Sequence, residues 1–295
     1  MSRFRTDLAM ERTAAEGVGM QGIDMRAVQE DGLDMTWVKV KTTEAAQKLG
    51  KAQGTYWTLT RPDLAKLTPE ERVPIAERIG RELQKLLPPQ GEVLVLGLGN
   101  RRMTADALGD RVVSGILVTR HMKAPELRSV CALAPGVLGV TGIETAEMAA
   151  ALVKRLKPAA VIVVDALAAM ETGHICTTVQ VTDSGISPGS GVGNHRAGID
   201  EKSMGVPVVS VGIPMVVYTS TIVRDALSGI LAREQDEESA FVMAEQLAEG
   251  IDGEMIVTPR DIDTTVQHLA DMLALAINLA LQPGMTAEEV QLYLH

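Results

Sequence analysis

The chain has 295 residues, with 28 Lys and Arg against 38 Asp and Glu, a formal charge of −10. With 46% hydrophobic and 22% charged residues it has an ordinary globular composition, long enough to bury about 75% of its extended surface. The acidic balance argues against a general nucleic-acid binder, because duplex affinity rests on cations facing phosphates. Two Phe, two Trp and three Tyr are too few for a base-stacking module or aromatic-rich strands.

Residues 1–60 show no sustained period, and short strands are expected only at 38–40 and 56–59. The N-terminus lacks the apolar stretch of a signal peptide. Thr68-Pro69-Glu70-Glu71 is a capping box with Pro at the first helical position. It predicts a helix to about Leu87, ended by Pro88-Pro89. Val93-Leu94-Val95-Leu96-Gly97 predicts a strand buried on both faces. A helix opening at Thr104-Ala105-Asp106 is expected over 105–113, and a strand over 130–133. Thr145 is expected to cap a helix that Pro158 closes.

Ala160-Val161-Ile162-Val163-Val164-Asp165 repeats the buried-strand pattern and places a carboxylate at its expected C-terminal end. Residues 178–182 alternate, as an antiparallel or edge strand does. The uncharged run 203–223 contains Pro207 and Pro214, so it is expected to be two buried strands and a turn, not a membrane span. A helix over 222–231, a solvated loop over 232–239, a long helix from Thr258-Pro259-Arg260-Asp261 to about Leu281 and a short last helix from Thr286 complete the chain. Apolar strands separated by helices predict one α/β domain with a mostly parallel sheet. In such sheets reactive groups collect at the carboxyl ends of the strands. A soluble, intracellular protein is expected.

Several motifs have plain structural readings. Gly189-Ser190-Gly191-Val192-Gly193-Asn194 lacks the Lys-Ser/Thr of a phosphate loop and is read as a structural loop forming one wall of a cleft. Gly97-Leu98-Gly99-Asn100 lacks a third glycine. Asp183-Ser184-Gly185 matches the tripeptide of pepsin-like proteases, but one copy on an α/β frame is read as a turn. Cys131 and Cys176 form no metal knuckle, and the five histidines show no metal spacing. Of these only His121 is kept as a site neighbour. Asp165 and Asp106 are different. The plain readings are a helix cap for Asp106 and a ligand of loop amides for Asp165, but both are expected on one rim of the sheet, and if they meet there, two carboxylates hinder each other's ionisation and share a proton. One can then take a proton from water while the other donates to a carbonyl oxygen.

Together the motifs resemble a known family. Thr6-Asp7-Leu8-Ala9, Gly97-Leu98-Gly99-Asn100, Thr104-Ala105-Asp106-Ala107-Leu108-Gly109, Leu117-Val118-Thr119-Arg120-His121, Pro135-Gly136-Val137-Leu138-Gly139-Val140-Thr141-Gly142, Asp165-Ala166-Leu167-Ala168 and Asp183-Ser184-Gly185-Ile186-Ser187-Pro188-Gly189 occur in that order. In this the chain is similar to the germination proteases of spore-forming Firmicutes, atypical aspartic endopeptidases. The resemblance implies a three-layer α/β/α fold, phosphorylase/hydrolase-like and related to the hydrogenase-maturation peptidases. It implies a self-processing zymogen that assembles as a homotetramer and needs no cofactor or metal. Its substrates would be small acid-soluble spore proteins in the spore core, with no direct nucleic-acid or membrane partner.

The family's two essential aspartates fall on Asp106 and Asp165. Self-cleavage is expected between Asp7 and Leu8, dividing the chain into a propeptide, residues 1–7, and a single peptidase domain, residues 8–295. Gly189, Ser190, Gly191, Gly193 and Asn194 are candidates for shaping the cleft and steadying the oxyanion. Asn100, His121 and Asp183 are candidate neighbours. A segment near the N-terminus is expected to obstruct the cleft and to leave on acidification. Ala105 and Asp110 stand where the family usually has proline, and Asp110 is expected on the helix face of Asp106. The rival readings are a metal-dependent peptidase of the hydrogenase-maturation type that recruits His121, and a non-enzymatic spore protein that keeps the fold.

Overall fold

A computed structural model of the chain describes residues 5–16, 19–122, 124–186, 197–233, 236–248 and 255–294. In chain order the elements are α1 (Ala9–Glu16), β1 (Ile23–Glu30), β2 (Leu33–Val40), α2 (Thr43–Leu49), β3 (Gly54–Thr60), α3 (Pro69–Leu86), β4 (Val93–Gly97) and α4 (Leu108–Ser114). They continue with β5 (Val130–Leu133), α5 (Leu138–Thr141), α6 (Thr145–Leu156), β6 (Ala160–Ala169), β7 (Thr178–Thr182), α7 (Glu201–Met204) and β8 (Val208–Tyr218). The last are α8 (Thr219–Leu231), α9 (Glu237–Ala248), β9 (Ile256–Val257), α10 (Ile262–Leu281) and α11 (Ala287–Leu294).

One mixed sheet runs β1-β2-β3-β7-β8-β6-β4-β5, with β9 on β8. Its central strands β8, β6, β4 and β5 are parallel. The wing of β1, β2, β3 and β7 is antiparallel. The continuous apolar runs follow from coverage of both faces. On β4, Val93 and Val95 enter a core with α3, α4 and α10, while Leu94 and Leu96 face α6 and Met204 of α7 on the other side. Period-2 alternation thus feeds two cores from one strand. A Leu or Ile fully buried in either contributes roughly 1.5–3 kcal/mol. Helix α10 is long and apolar enough to cross a membrane, but 67% of it is buried inside the molecule, as the core helix of a folded domain would be. Its Asn278 accepts from Leu117 N–H (2.9 Å) and donates to Gly115 O (2.9 Å), fastening the chain that leaves α4.

Several expectations need correction. The hairpin of β1 and β2 and the short helices α1 and α2 carry weak periodicity; β1 buries no residue and is exposed on both faces, so no alternation marks it. Thr145 is the first residue of α6 and Glu144 is its N-cap. The run 203–223 holds one long strand, β8, followed directly by α8. Pro214 is accommodated where the register against β6 shifts between Leu167 and Ala168, an irregularity that spares the missing N–H. β7 is antiparallel to both neighbours, as its alternation allows, but it is no edge strand: it lies between β3 and β8 and is buried on both faces. The long C-terminal helix starts at Ile262, without a side-chain cap from Asp261. The region expected as a solvated loop already enters α9 at Glu237.

Two differences bear on the site. The helix expected over 105–113 is broken into a 3-10 turn, Thr104–Asp106, and the separate helix α4. Asp110 therefore does not continue a helix face from Asp106. β6 also runs on past Asp165 to Ala169, whereas its pairing with β4 stops at Gly97 and Val164.

Candidate active site

The loop after β4 is built around Asp106. Asn100 N–H donates to Asp106 Oδ2 (2.7 Å), and Asn100 Oδ1 accepts from Arg102 N–H (3.1 Å). Gly99 takes φ +107°, and a Cβ there would lie 1.9 Å from the Asp106 carbonyl oxygen. The glycines of Gly97-Leu98-Gly99-Asn100 thus wrap the backbone around a carboxylate rather than a phosphate. Gly99→Ala should displace Asp106 by steric conflict and left-handed strain. The expected result is a loss on the order of 100-fold in any reaction that Asp106 serves, together with a lowered Tm, read by kcat/KM and a thermal melt.

Asp165 stands inside β6 beside the end of β4. Its Oδ1 accepts from its neighbour Ala166 N–H (2.9 Å). Burial raises its pKa well above the usual carboxylate range, and the negative charges of Asp106 and Asp7 raise it further; the Ala166 hydrogen bond opposes them. Asp165 thus feels the charges of two other carboxylates, Asp106 from the loop after β4 and Asp7 from the N-terminal segment.

Asp7 arrives on the N-terminal segment, which lies across the sheet near these groups. Asp7 N–H donates to Ala168 O (2.9 Å), and Ala168 N–H donates to Asp7 Oδ2 (2.9 Å). These bonds fall on the part of β6 that outruns β4, where an added strand can pair. Gln180 on β7 brackets Leu8, donating to Asp7 O of the peptide before it (3.0 Å) and accepting from Ala9 N–H of the peptide after it (2.8 Å). Lys51 donates to Thr6 O (2.9 Å). Burial lowers the Lys51 pKa, partly offset by Asp7. Leu8 is fully buried against Leu167, Ala169 and Val217. A cleft of about 160 Å³ adjoins this segment, lined by Asp7, Lys51, Gln180, Thr182, Ser184 and Ser210. The buried Ser210 hydroxyl has no hydrogen-bond partner among the described residues. Gly212, which pairs with Asp165 across β6 and β8, also lines the cleft.

Other candidates fall elsewhere. His121 is exposed and follows Arg120, whose side chain binds Glu92 (3.0 Å) at the start of β4. Thr119 and Arg120 N–H both donate to Val130 O at the start of β5. His121 is therefore at the amino-end rim, opposite the aspartates, because the chain has already returned from α4 to begin β5. Asp183 accepts from Thr55 N–H (2.7 Å), closing the turn beside β3. Gly189, Ser190, Gly191, Gly193 and Asn194 lie outside the described residues. Sequence reasoning missed Lys51 and Gln180, which announce no motif, and it missed Glu11 and His174. Among the described residues, Glu11, Glu171 and His174 bring possible metal-ligand atoms within 4.8 Å of one another. Glu11, however, already has protein donors on both of its oxygens.

A family model described as germination protease matches residues 5–234. The germination protease of Caldanaerobacter subterraneus subsp. tengcongensis is 41% identical, covering 99% of this chain and 98% of the relative. That of Clostridium perfringens strain SM101 is 36% identical over the whole of both chains. That of Priestia megaterium is 31% identical, covering 99% of this chain and 97% of the relative. Among solved structures, the [NiFe] hydrogenase maturation protease HycI from Thermococcus kodakarensis KOD1 is 20% identical, covering 57% of this chain and 97% of that one, with a TM-score of 0.32.

Proposed function

Because the chain belongs to the germination protease family, and so is a peptidase of spore germination, we propose that it is an aspartic endopeptidase made as a zymogen that cuts itself between Asp7 and Leu8. The observation that carries this reading is the buried Asp165 carboxylate, which burial, Asp106 and Asp7 together hold toward its protonated form. A carboxylic acid beside a carboxylate supplies both halves of peptide hydrolysis. Asp106, steadied by Asn100 N–H, takes a proton from the attacking water. Asp165 donates its proton to the carbonyl oxygen of the scissile peptide. The tetrahedral intermediate collapses as the pair returns a proton to the leaving amine. Main-chain N–H groups of residues 189–194 are proposed to steady the negative charge that builds on that oxygen before the proton is fully transferred.

The substrates in this reading are small acid-soluble spore proteins in the spore core, cut at sites like Thr6-Asp7-Leu8-Ala9, and the working form is a homotetramer. Support for the cut site comes from the held segment. Asp7 and Leu8 lie beside the carboxylates with both flanking peptides hydrogen-bonded, an arrangement that orients one bond for attack. His121 lies on the far rim, which removes the donor that the metal-dependent rival relied on. N-terminal sequencing of the purified full chain after incubation tests the proposal. The expected new terminus is Leu8, and it should appear equally in the presence of a chelator. A chain that keeps its original N-terminus under all conditions would overturn self-processing.

A further inference from the structure

Resting on that reading of the cut site, we propose that His174 and the main-chain N–H groups of Met170 and Glu171 form a carboxylate pocket that sets the register of the N-terminal segment, with Glu11 as its occupant. His174 and Glu11 are thus positioning residues for self-processing. They decide that the Asp7–Leu8 bond, and not a neighbour, faces the aspartates.

Glu11 is buried, and both its oxygens are engaged. Oε2 accepts from Met170 N–H (2.8 Å) and from the Thr6 hydroxyl; Oε1 accepts from Glu171 N–H (3.0 Å) and pairs with His174 Nδ1 (2.7 Å). Three of these four groups belong to the body of the protein, on the turn after β6. That turn is fixed without help from α1. Arg224 on α8 donates to Met170 O (2.5 Å), and Asp225 Oδ2 accepts from the hydroxyl (2.9 Å) and N–H (3.3 Å) of Thr172. The pocket therefore exists before Glu11 enters it, and it offers two amides and an imidazole to an anion. A buried charge left without those partners costs several kcal/mol, so a slip of one residue along the segment is strongly disfavoured. A neutral amide in place of the carboxylate would turn N–H groups toward N–H groups.

The groups facing His174 are Glu11 from α1 and Glu171 from its own turn. Arg224 and Asp225 face Glu171 from α8, and Arg12 and Glu11 act on Lys51 beyond. Burial opposes charge on His174, but the hydrogen bond and charge of Glu11, then Glu171, outweigh it, and its pKa lies above the ordinary 6.5. With a raised folded value, the pair is fully formed below the unfolded pKa and is lost as pH climbs through the folded one. Acid therefore seats the segment more firmly. Under this proposal acid does not by itself release the segment.

The test is the rate of self-conversion of the full chain as a function of pH, with N-terminal sequencing of the product. Glu11→Gln and His174→Gln should each slow appearance of the Leu8 terminus about 10-fold, spread cleavage to neighbouring bonds, and flatten the alkaline fall expected of the unaltered chain. The double variant should be no slower than either single one. Unchanged rate, cut site and pH profile in Glu11→Gln would overturn the proposal, as would additive losses in the double variant. Amide hydrogen exchange of residues 6–16 in an Asp165→Asn background reads the pocket without any hydrolysis. There, Glu11→Gln should speed exchange, and no change would overturn the pocket even if the chain proved not to cut itself.

Discussion

Asp165→Asn should lower both self-conversion and cleavage of an added peptide by about 10³-fold or more, and Asp106→Asn should do the same. The two act as one proton-sharing unit, so the double variant should lose little beyond either single one. Stability should move in the other direction. The amide introduced by Asp165→Asn keeps an oxygen for Ala166 N–H, yet it removes a charge that burial, Asp106 and Asp7 all penalise. Because the folded pKa of Asp165 is raised, the unaltered protein loses stability as pH rises from the ordinary carboxylate range through that raised value. The amide variant lacks that slope. Thermal melts across this pH range should show an equal or higher Tm for Asp165→Asn on the alkaline side. Full activity in either single variant would refute the pair.

A chain that begins at Leu8 should cleave an added peptide on the order of 100-fold faster than the full chain in which Asp165 and Asp106 are intact but processing is prevented by Leu8→Pro. Residues 5–7 contribute the two bonds between Asp7 and Ala168, the Gln180 bond to Asp7 O and the Lys51 bond to Thr6 O. At about 1 kcal/mol each these bonds amount to several kcal/mol against an incoming competitor, before the entropy of the freed segment is counted. Leu8, Ala9 and Glu11 keep their own contacts in the shortened chain. The remaining helix should therefore compete as a weaker occupant, visible as faster amide exchange of residues 9–16. Equal peptide cleavage by the two forms would show that the segment does not block the cleft.

Local rules carried much of the architecture. The box at Thr68 and Glu71 forms as its residues dictate, because both hydrogen bonds lie within one turn. The buried runs at Val93 and Ala160 became central parallel strands, because only a strand covered on both faces tolerates continuous apolar residues. Where non-local contacts decided the outcome, sequence reasoning went astray. Pro214 reads as a break, but a register shift against β6 lets β8 pass through it. His121 lies close in sequence to the predicted rim and far from it in space, since direction along the sheet depends on how the chain returns from α4.

The amino-acid sequence alone determined the α/β class and the family, since each depends on residue type, order and spacing along the chain, and it put forward Asp106 and Asp165 as the pair to test. The tertiary structure decided that Asp7 joins those two carboxylates, that Lys51 and Gln180 hold the segment carrying it, and that Glu11 meets His174 across 163 residues of sequence. Those contacts depend on β6 outrunning β4 and on a turn braced by α8. Both are products of packing between distant segments, which no local pattern encodes.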